Sequence, residues 1–297
     1  MSLVINHNLM ATNAARNLSQ SYGNLSTSVR RLSSGLRVGT AADDAAGLAI
    51  REIMRADIAA LNQGVRNAND AISLIQTADG ALSVIDEKLI RMKELAEQAA
   101  TGTYTSDQRL IIDSEYQAMA SEITRIANAT DFNGIALLNG NLSSASHDGS
   151  GLVSTGKLKV HFGTKNDSAE DYYYIQIGTS TASALGLGNQ STVGGAGYTI
   201  STQSAAQNAL VGIENAIVSK DKIRANLGAL QNRLENTITN LQIQSENLQA
   251  AESRISDVDV SQEMTEFTRQ QILTQSAVAM LSQANSLPRM AMQLLGG

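Results

Sequence analysis

Three histidines, two acidic pairs and one glycine cluster are the residues whose types suit chemistry in this chain. His7, His147 and His161 stand far apart, and none has the His-Glu-x-x-His spacing that lets one helix face grip a metal. Asp43-Asp44 pairs two carboxylates of the kind that share acid and base work, and Asp257-Val-Asp259 pairs two of the kind that anchor a cation. Neither pair has a His, Lys or phosphate-cradling loop nearby to complete a site. Helix starts and interfaces are the roles predicted for them. Gly194-Gly195-Ala-Gly197 lacks the preceding strand and following helix of a dinucleotide fingerprint and reads as loop. The absence of cysteine removes thiol nucleophiles, disulfides and thiolate zinc sites. The expectation is a protein that is not an enzyme, with no metal and no cofactor.

Composition narrows the class further. The net charge of -6 and pI near 5.1 oppose binding to duplex nucleic acid, which calls for a basic face. No segment reaches the roughly 18 consecutive apolar residues of a membrane span, so no membrane insertion is predicted. The N-terminus MSLVINHNLMATNAARNL lacks the charged start, apolar run and cleavage site of a secretory signal. Residues 1 to 37 are basic and Ser-rich, which alone would also suit a transit peptide. They hold Arg16, Arg30, Arg31 and Arg37 and no acid, whereas residues 251 to 297 carry Glu252, Asp257, Asp259, Glu263 and Glu266 against three arginines. The two ends are therefore electrostatically complementary.

The elements that would position these groups are long helices. There is no Trp, and one Pro, Pro288, in the whole chain; the apolar content is mostly Ala, Leu, Ile and Val, which favours uninterrupted helix. Leu18, Tyr22, Leu25, Val29, Leu32 and Leu36 alternate steps of four and three and line one predicted seam. After a break around Gly35 to Gly47, a coiled-coil-like run follows: Ile58, Leu61, Val65, Ala68, Ile72, Ile75, Ala78, Leu82, Ile85, Leu89, Met92, Ala96 and Ala99. Its repeated three-residue step at Ile72, Ile75 and Ala78 is a stammer. A shorter helix is predicted from about Ser106 to Ala129, with a stripe of Leu110, Tyr116, Met119, Ile123 and Ile126, and Asp131-Phe-Asn-Gly134 as its exit turn.

The middle is rich in Gly, Ser and Thr. LKVHF at 158 to 162 and YYYIQI at 172 to 177, joined by a polar turn segment, predict one β-hairpin, with loop or irregular β structure at 141 to 156 and 179 to 203. The last part is again heptad-like: Leu210, Ile213, Ile217, Ile223, Leu227, Leu230, Leu234, Ile238, Leu241, Leu248, Ala251, Ile255 and Val258, then Met264, Phe267, Leu273, Ala277, Met280, Ala284 and Leu287. Each half thus has a long helix adjoining a shorter terminal one. The fold class expected is mainly α: an elongated coiled-coil-like helical rod of paired N- and C-terminal segments with a small β-hairpin region in the middle. The terminal helices have no evident way to bury their stripes within one chain, so residues 1 to 40 and 260 to 297 are expected to fold on association. Asn-x-Ser/Thr occurs at Asn17, Asn24, Asn128, Asn141, Asn166 and Asn189, a pattern that arises readily in an Asn- and Ser-rich chain.

Several stretches resemble bacterial flagellin: RLSSGLRVGTAADDAAGLAI at 31 to 50, RNANDAISLIQTADGAL at 66 to 82, ATDFNGIALLNG at 129 to 140 and LGALQNRLENTITNL at 227 to 241. So do AESRISDVDVSQEM at 251 to 264 and ILTQSAVAMLSQANSLPRMAMQLL at 272 to 295. The resemblance implies a short form, lacking large outer domains, that self-assembles into the flagellar filament for swimming motility. It implies that residues 1–42 and 257–297 form a discontinuous inner-core domain, and that 43–256 form a helical rod domain including the 141–203 hairpin and loop region. It further implies export by the flagellar type III apparatus with an export chaperone, an extracellular location, and a cap and hook-filament junction proteins as partners beside copies of itself. Polymer contacts would then fall on Leu18, Leu25, Val29, Leu32, Leu36, Met264, Phe267, Leu273, Met280 and Leu287.

In flagellins seen by the vertebrate receptor Toll-like receptor 5, a segment similar to RMKELA at 91 to 96 carries the contact. Arg91, Leu95 and Glu115 match the family's positions there, whereas Ile90 and Lys93 depart from the common Gln and Arg. The alternative reading is a hook-filament junction protein, which resembles flagellin at its ends but usually matches these signatures less completely. A metalloprotease insert would need size and a His-Glu-x-x-His that 141 to 200 lacks, and a membrane-active coiled coil would need a strongly apolar helix.

Overall fold

The computed structural model describes residues 8–148, 155–168, 170–187 and 199–295. They form two compact units, one from residues 1–58 with 246–297, the other from 59–245. The helices are α1 (Leu9–Ser34), α2 (Ala45–Ala100), α3 (Ser106–Ala129), α4 (Gln203–Ser256) and α5 (Val260–Leu295). Among the described residues there are also three antiparallel strand pairs: β1 (Asp131–Phe132) with β2 (Ile135–Ala136), β3 (His147–Asp148) with β4 (Thr155–Gly156), and β5 (Leu158–His161) with β6 (Tyr172–Ile175). The mainly-α reading with a small β region is what the chain adopts.

In the unit of residues 59–245, the predicted seam of α2 is buried at Leu61, Ala68 and Ile75 and then without interruption from Ala78 to Ala99. Around the stammer Ala71 and Leu74 join the buried set, while the predicted Val65 and Ile72 are half-covered. A straight α-helix drifts about 20° per heptad against a strict seven-residue repeat, and the stammer lets that drift surface. At the shifted stretch Gly64 is covered by the hairpin, where Asn67 donates to the His161 carbonyl at 2.8 Å.

α3 begins at Thr105, whose hydroxyl accepts from Gln108 N while the Gln108 side chain accepts from Thr105 N, a reciprocal capping box. Its buried face is Ile112, Tyr116, Ala120, Ile123 and Ala127, so Leu110 points outward instead. Tyr116 and Ile123 of the predicted stripe hold their places, while Ala120 and Ala127 lie deeper than Met119 and Ile126. Asp113 accepts from Thr199 Oγ1 and Ile200 N at 2.9 and 2.7 Å, tying the approach to α4 onto α3.

The predicted exit turn is a small hairpin. Asn133 and Gly134 both have positive φ, 52° and 78°, the pairing that a two-residue turn between right-twisted strands requires. The β5–β6 hairpin lies where the sequence put it. Its inward face carries Val160 and Ile175, followed by Phe162, which meets Tyr173 edge-on. Tyr173 in turn lies under Arg233 of α4, 3.5 Å from ring centre to guanidinium carbon. α2 and α4 meet directly through Arg224–Asp79 and Lys220–Asp86. Gly194, Gly195, Gly197 and Asn189 lie outside the described residues.

Candidate self-assembly surface

The unit of residues 1–58 and 246–297 is built on α1 packed against α5. Asn8 starts α1, its side-chain oxygen accepting from Ala11 N at 3.0 Å while its amide donates to the Ala284 carbonyl at 2.8 Å. Gly35 ends the helix in the left-handed region, φ 72°, with its N–H on the Arg31 carbonyl. The chain then runs antiparallel to the end of α4: Leu36 pairs with Asp257, Arg37 N donates to Ser256 O at 2.7 Å, and Val258 N donates to Gly35 O at 3.0 Å. Val38 is buried beneath Arg51, which donates to its carbonyl at 2.7 Å.

Both acidic pairs serve this junction. Asp43 accepts from Thr40 Oγ1, Thr40 N and Gly39 N and pairs with Arg30 at 2.8 Å. The Thr40 hydroxyl, with help from the Thr40 amide and the Arg30 charge, holds its carboxyl below the usual range against partial desolvation. Asp44 accepts from Gly47 N at 2.9 Å and starts α2. Asp259 accepts from Ser261 N and Gln262 N and starts α5, while Asp257 accepts from Ser253 Oγ. These are helix-start and junction roles, as the sequence predicted.

The α1–α5 contact is unlike a hydrophobic core. Among the described side chains of α5 the buried ones are Gln270, Thr274 and Ala284; on α1 the one buried residue is Ser28. Among the described residues of this unit, Val38 and Ala284 are the only fully buried apolar side chains. Meanwhile Val260, Met264, Ile272, Leu273, Val278 and Met280 face outward, Ile272 at 58% and Met280 at 62% exposure. Surface apolar residues scattered singly mean little, but a helix that covers Gln270 and Thr274 beside Phe267, Ala277 and Leu281 and still leaves six aliphatic side chains exposed has apolar surface to offer a partner. On α1 the predicted seam is half right. Leu18, Leu25, Leu32 and Leu36 are half-buried, whereas Tyr22 and Val29 are exposed and Ser21 and Ser28 take the inner positions. Small hydroxyl residues let the two helices approach closely, and that geometry outranks apolarity. The expectation that no stripe could be covered within one chain is corrected accordingly: the leucines of α1 are partly covered by α5.

Of the α5 residues named from sequence, Met264, Leu273 and Met280 are exposed and Phe267 is half-buried. The side chain of Leu287 lies outside the described residues. The outward Ile272 and Val278 were missed, because adjacent apolar pairs fit no seven-residue template. The predicted receptor residues are brought together only in part. Arg91 donates to Glu115 at 2.8 and 3.0 Å and to Glu94 at 2.9 Å, linking α2 to α3 on the surface. Glu94 first, then Glu115, holds the guanidinium further into its protonated range. Leu95 is 1% exposed and belongs to the core.

No cluster of three metal-ligating side chains, and no helix long and apolar enough to cross a membrane, occurs among the described residues. His147 and His161 sit beside Tyr174 and Tyr172 on the hairpin, and His7 lies outside the described residues. An open groove of about 730 Å³ between that hairpin and α4 is walled by Asn236, Asn240 and Gln244 opposite Lys165 and Tyr173, and no histidine lines it.

Comparison with known proteins places the chain. Residues 5–143 match the family model for the bacterial flagellin N-terminal helical region, and residues 210–295 that for the bacterial flagellin C-terminal helical region. Flagellin FlaB2 of Treponema pallidum is 40% identical over 99% of this chain and 100% of its own length. A flagellin of Halalkalibacterium halodurans is 41% identical over 99% and 100%. The crystal structure of Bacillus cereus flagellin is 28% identical, covers 63% of this chain and 94% of its own, and superposes with a TM-score of 0.45. Two family models at the two ends and full-length relatives at this identity make the chain a member of the bacterial flagellin family.

Proposed function

We propose that this chain is a structural subunit of the bacterial flagellar filament and that it polymerises through the outward aliphatic faces of α5 and α1. The observation that carries the reading is the apolar surface α5 leaves uncovered, Ile272, Leu273, Val278 and Met280, while Gln270 and Thr274 are buried. Full-length relatives named as flagellins and flagellar filament core proteins support it. In this reading residues 1–42 and 257–297 line the inner layer of the filament and 43–256 form the helical rod around it. The subunit is exported by the flagellar type III apparatus, guarded by a chaperone on its C-terminal segment, and added beneath a distal cap outside the cell, beyond hook-filament junction proteins. Work is done by repeated burial of surface, with no catalytic step. Where a host presents Toll-like receptor 5, the exposed Arg91–Glu115 pair is the contact, with Leu95 shaping the helix beneath it.

The test is negative-stain electron microscopy after seeding with short filaments, comparing the full chain, Met280→Asp, and a chain lacking residues 260–297. Long uniform filaments are expected from the full chain alone. Placing a carboxylate in an apolar interface costs several kcal/mol, so Met280→Asp is expected to raise the concentration needed for growth by about 100-fold or more. A full chain that stays particulate but binds hook or filament ends would make it a junction protein and overturn the reading.

A further inference from the structure

Within the unit of residues 59–245, the seam of α4 contains one member that does not belong to an apolar core. Ala206, Ile213, Lys220, Leu227, Leu234 and Leu241 fall at exact seven-residue intervals and are all buried, Lys220 at 1% exposure. Its ammonium is paired with Asp86 of α2 at 2.5 Å and with its neighbour Asp221 at 2.7 Å. One turn further along α4, Arg224 grips Asp79 of α2 through two hydrogen bonds, at 2.7 and 3.2 Å. The later α4 residue meets the earlier α2 residue, so the two helices run antiparallel here.

The apolar part of this seam is nearly blind to register. A seven-residue slip of α4 in either direction exchanges Leu for Leu at 234 and 241, against an α2 face on which Ile75, Leu82, Leu89 and Ala96 repeat with the same interval. Charge is not blind. Asp79 and Asp86 are themselves one heptad apart, so each slip keeps one ion pair and destroys the other. In one direction Lys220 comes opposite Asp79 while Arg224 moves to Ile72 and Asp86 loses its partner. In the other, Arg224 comes opposite Asp86 while the buried Lys220 moves beside Lys93.

We infer that the Lys220–Asp86 and Arg224–Asp79 pairs are a register lock for α2 and α4, retained for pairing specificity rather than for stability. Buried ion pairs gain little net stability over apolar replacements, and fixing register is their best-attested use. The lock is directional: neither pair alone excludes both slips.

The absence of cysteine makes the inference directly testable by engineered cross-links. Asn62→Cys with Ser245→Cys reports the native register, because Ser245 Oγ and Asn62 Oδ1 lie 3.4 Å apart. Asn69→Cys with Ser245→Cys reports one slip, and Asn62→Cys with Ile238→Cys the other. With Lys220 and Arg224 intact, only the native pair is expected to oxidise. In the Lys220→Met/Arg224→Met background, a slipped pair is expected to gain about tenfold or more, the change one charge-assisted bond makes in an equilibrium constant. Removing the cations strands no buried charge, because Asp86 and Asp79 are both partly solvated, so far-UV circular dichroism is expected to stay helical. Exchanging the outer pair, Asp79→Arg with Arg224→Asp, is expected to keep the native cross-link alone. Cross-linking confined to the native pair in the double methionine background, or loss of its helix signal, overturns the inference.

Discussion

Gly64 and Gly80 lie in the same helix, and replacing each with alanine separates two effects that usually arrive mixed. Alanine is worth about 1 kcal/mol over glycine within a helix, because it restricts the unfolded chain and shields the backbone. At Gly80 nothing lies within 4 Å of the added methyl, so that gain stands alone. At Gly64 the methyl would press on the carbonyl oxygen of Phe162 and sit 2.8 Å from its carbon and 2.9 Å from its Cα. This is backbone at the end of β5, unable to swing aside as a side chain would. Tolerating the overlap costs about 1–3 kcal/mol. Escaping it by lifting the hairpin exposes Phe162, about 1.5–3 kcal/mol, and strains the Asn67 bond to the His161 carbonyl. The cheaper route governs, so Gly64→Ala is expected to lie about 1–3 kcal/mol below Gly80→Ala in stability. At roughly 2–4 °C per kcal/mol for a unit of this size, the melting temperatures should separate by several degrees in scanning calorimetry. The near-ultraviolet signal of the hairpin tyrosines should weaken in Gly64→Ala alone. A Gly64→Ala protein as stable as Gly80→Ala, with that signal intact, would refute the close-packing account of the hairpin.

Other outcomes follow from the same geometry. Burial, then the nearby Asp113 charge, pushes the Tyr116 phenol up to about 12 from an ordinary 10. Folding therefore gains from the neutral phenol fully below pH 10 and loses that gain as pH rises toward 12, a loss of roughly 3 kcal/mol that alkaline unfolding of Tyr116→Phe should lack. Asp43 has the opposite sign: its lowered value gives stability above the ordinary carboxylate range that disappears as pH falls through the folded value. Thr40→Val should raise the Asp43 midpoint in a carbon-detected NMR titration. Gly35→Ala should cost about 1 kcal/mol, because a side chain at φ 72° is strained. It should speed amide exchange at Arg37, whose N–H rests on Ser256.

Much of this architecture is readable from residue spacing, and the failures share a cause. The β5–β6 hairpin and the Ser106–Ala129 span of α3 follow from local signals, alternating β-formers and an apolar stripe, while the Thr105–Gln108 capping box emerges from the structure. The α2 seam is legible along most of its length, without exception from Ala78 onward where the heptad is strict, and at Leu61, Ala68 and Ile75 before it. Seam membership fails where packing prefers something other than apolarity. Ser21 and Ser28 take inner places from Tyr22 and Val29 because they are small, and Gly64 because a backbone lies against it. Lys220 is invisible to a search for apolar stripes, which steps from Ile217 to Ile223, although the exact seven-residue column through Ile213 and Leu227 points straight at it. Leu95 is the converse case: a position matched by resemblance to a receptor contact is a core residue here.

The seam between α1 and α5 has a consequence for how the chain opens. A contact whose buried side chains are Ser28, Gln270, Thr274 and Ala284, with the α1 leucines and Phe267 only half-covered, transfers less oil-like surface out of water than an aliphatic core, so less free energy opposes its separation. The unit of residues 59–245, with its long aliphatic column, should hold its amide hydrogens far more tightly. Hydrogen exchange on the isolated subunit should therefore show two populations, with the α1 and α5 amides exchanging through low-cost local openings and those around Leu82, Leu89 and Ile123 only through global unfolding. In an assembled polymer the slow class should spread to both ends of the chain.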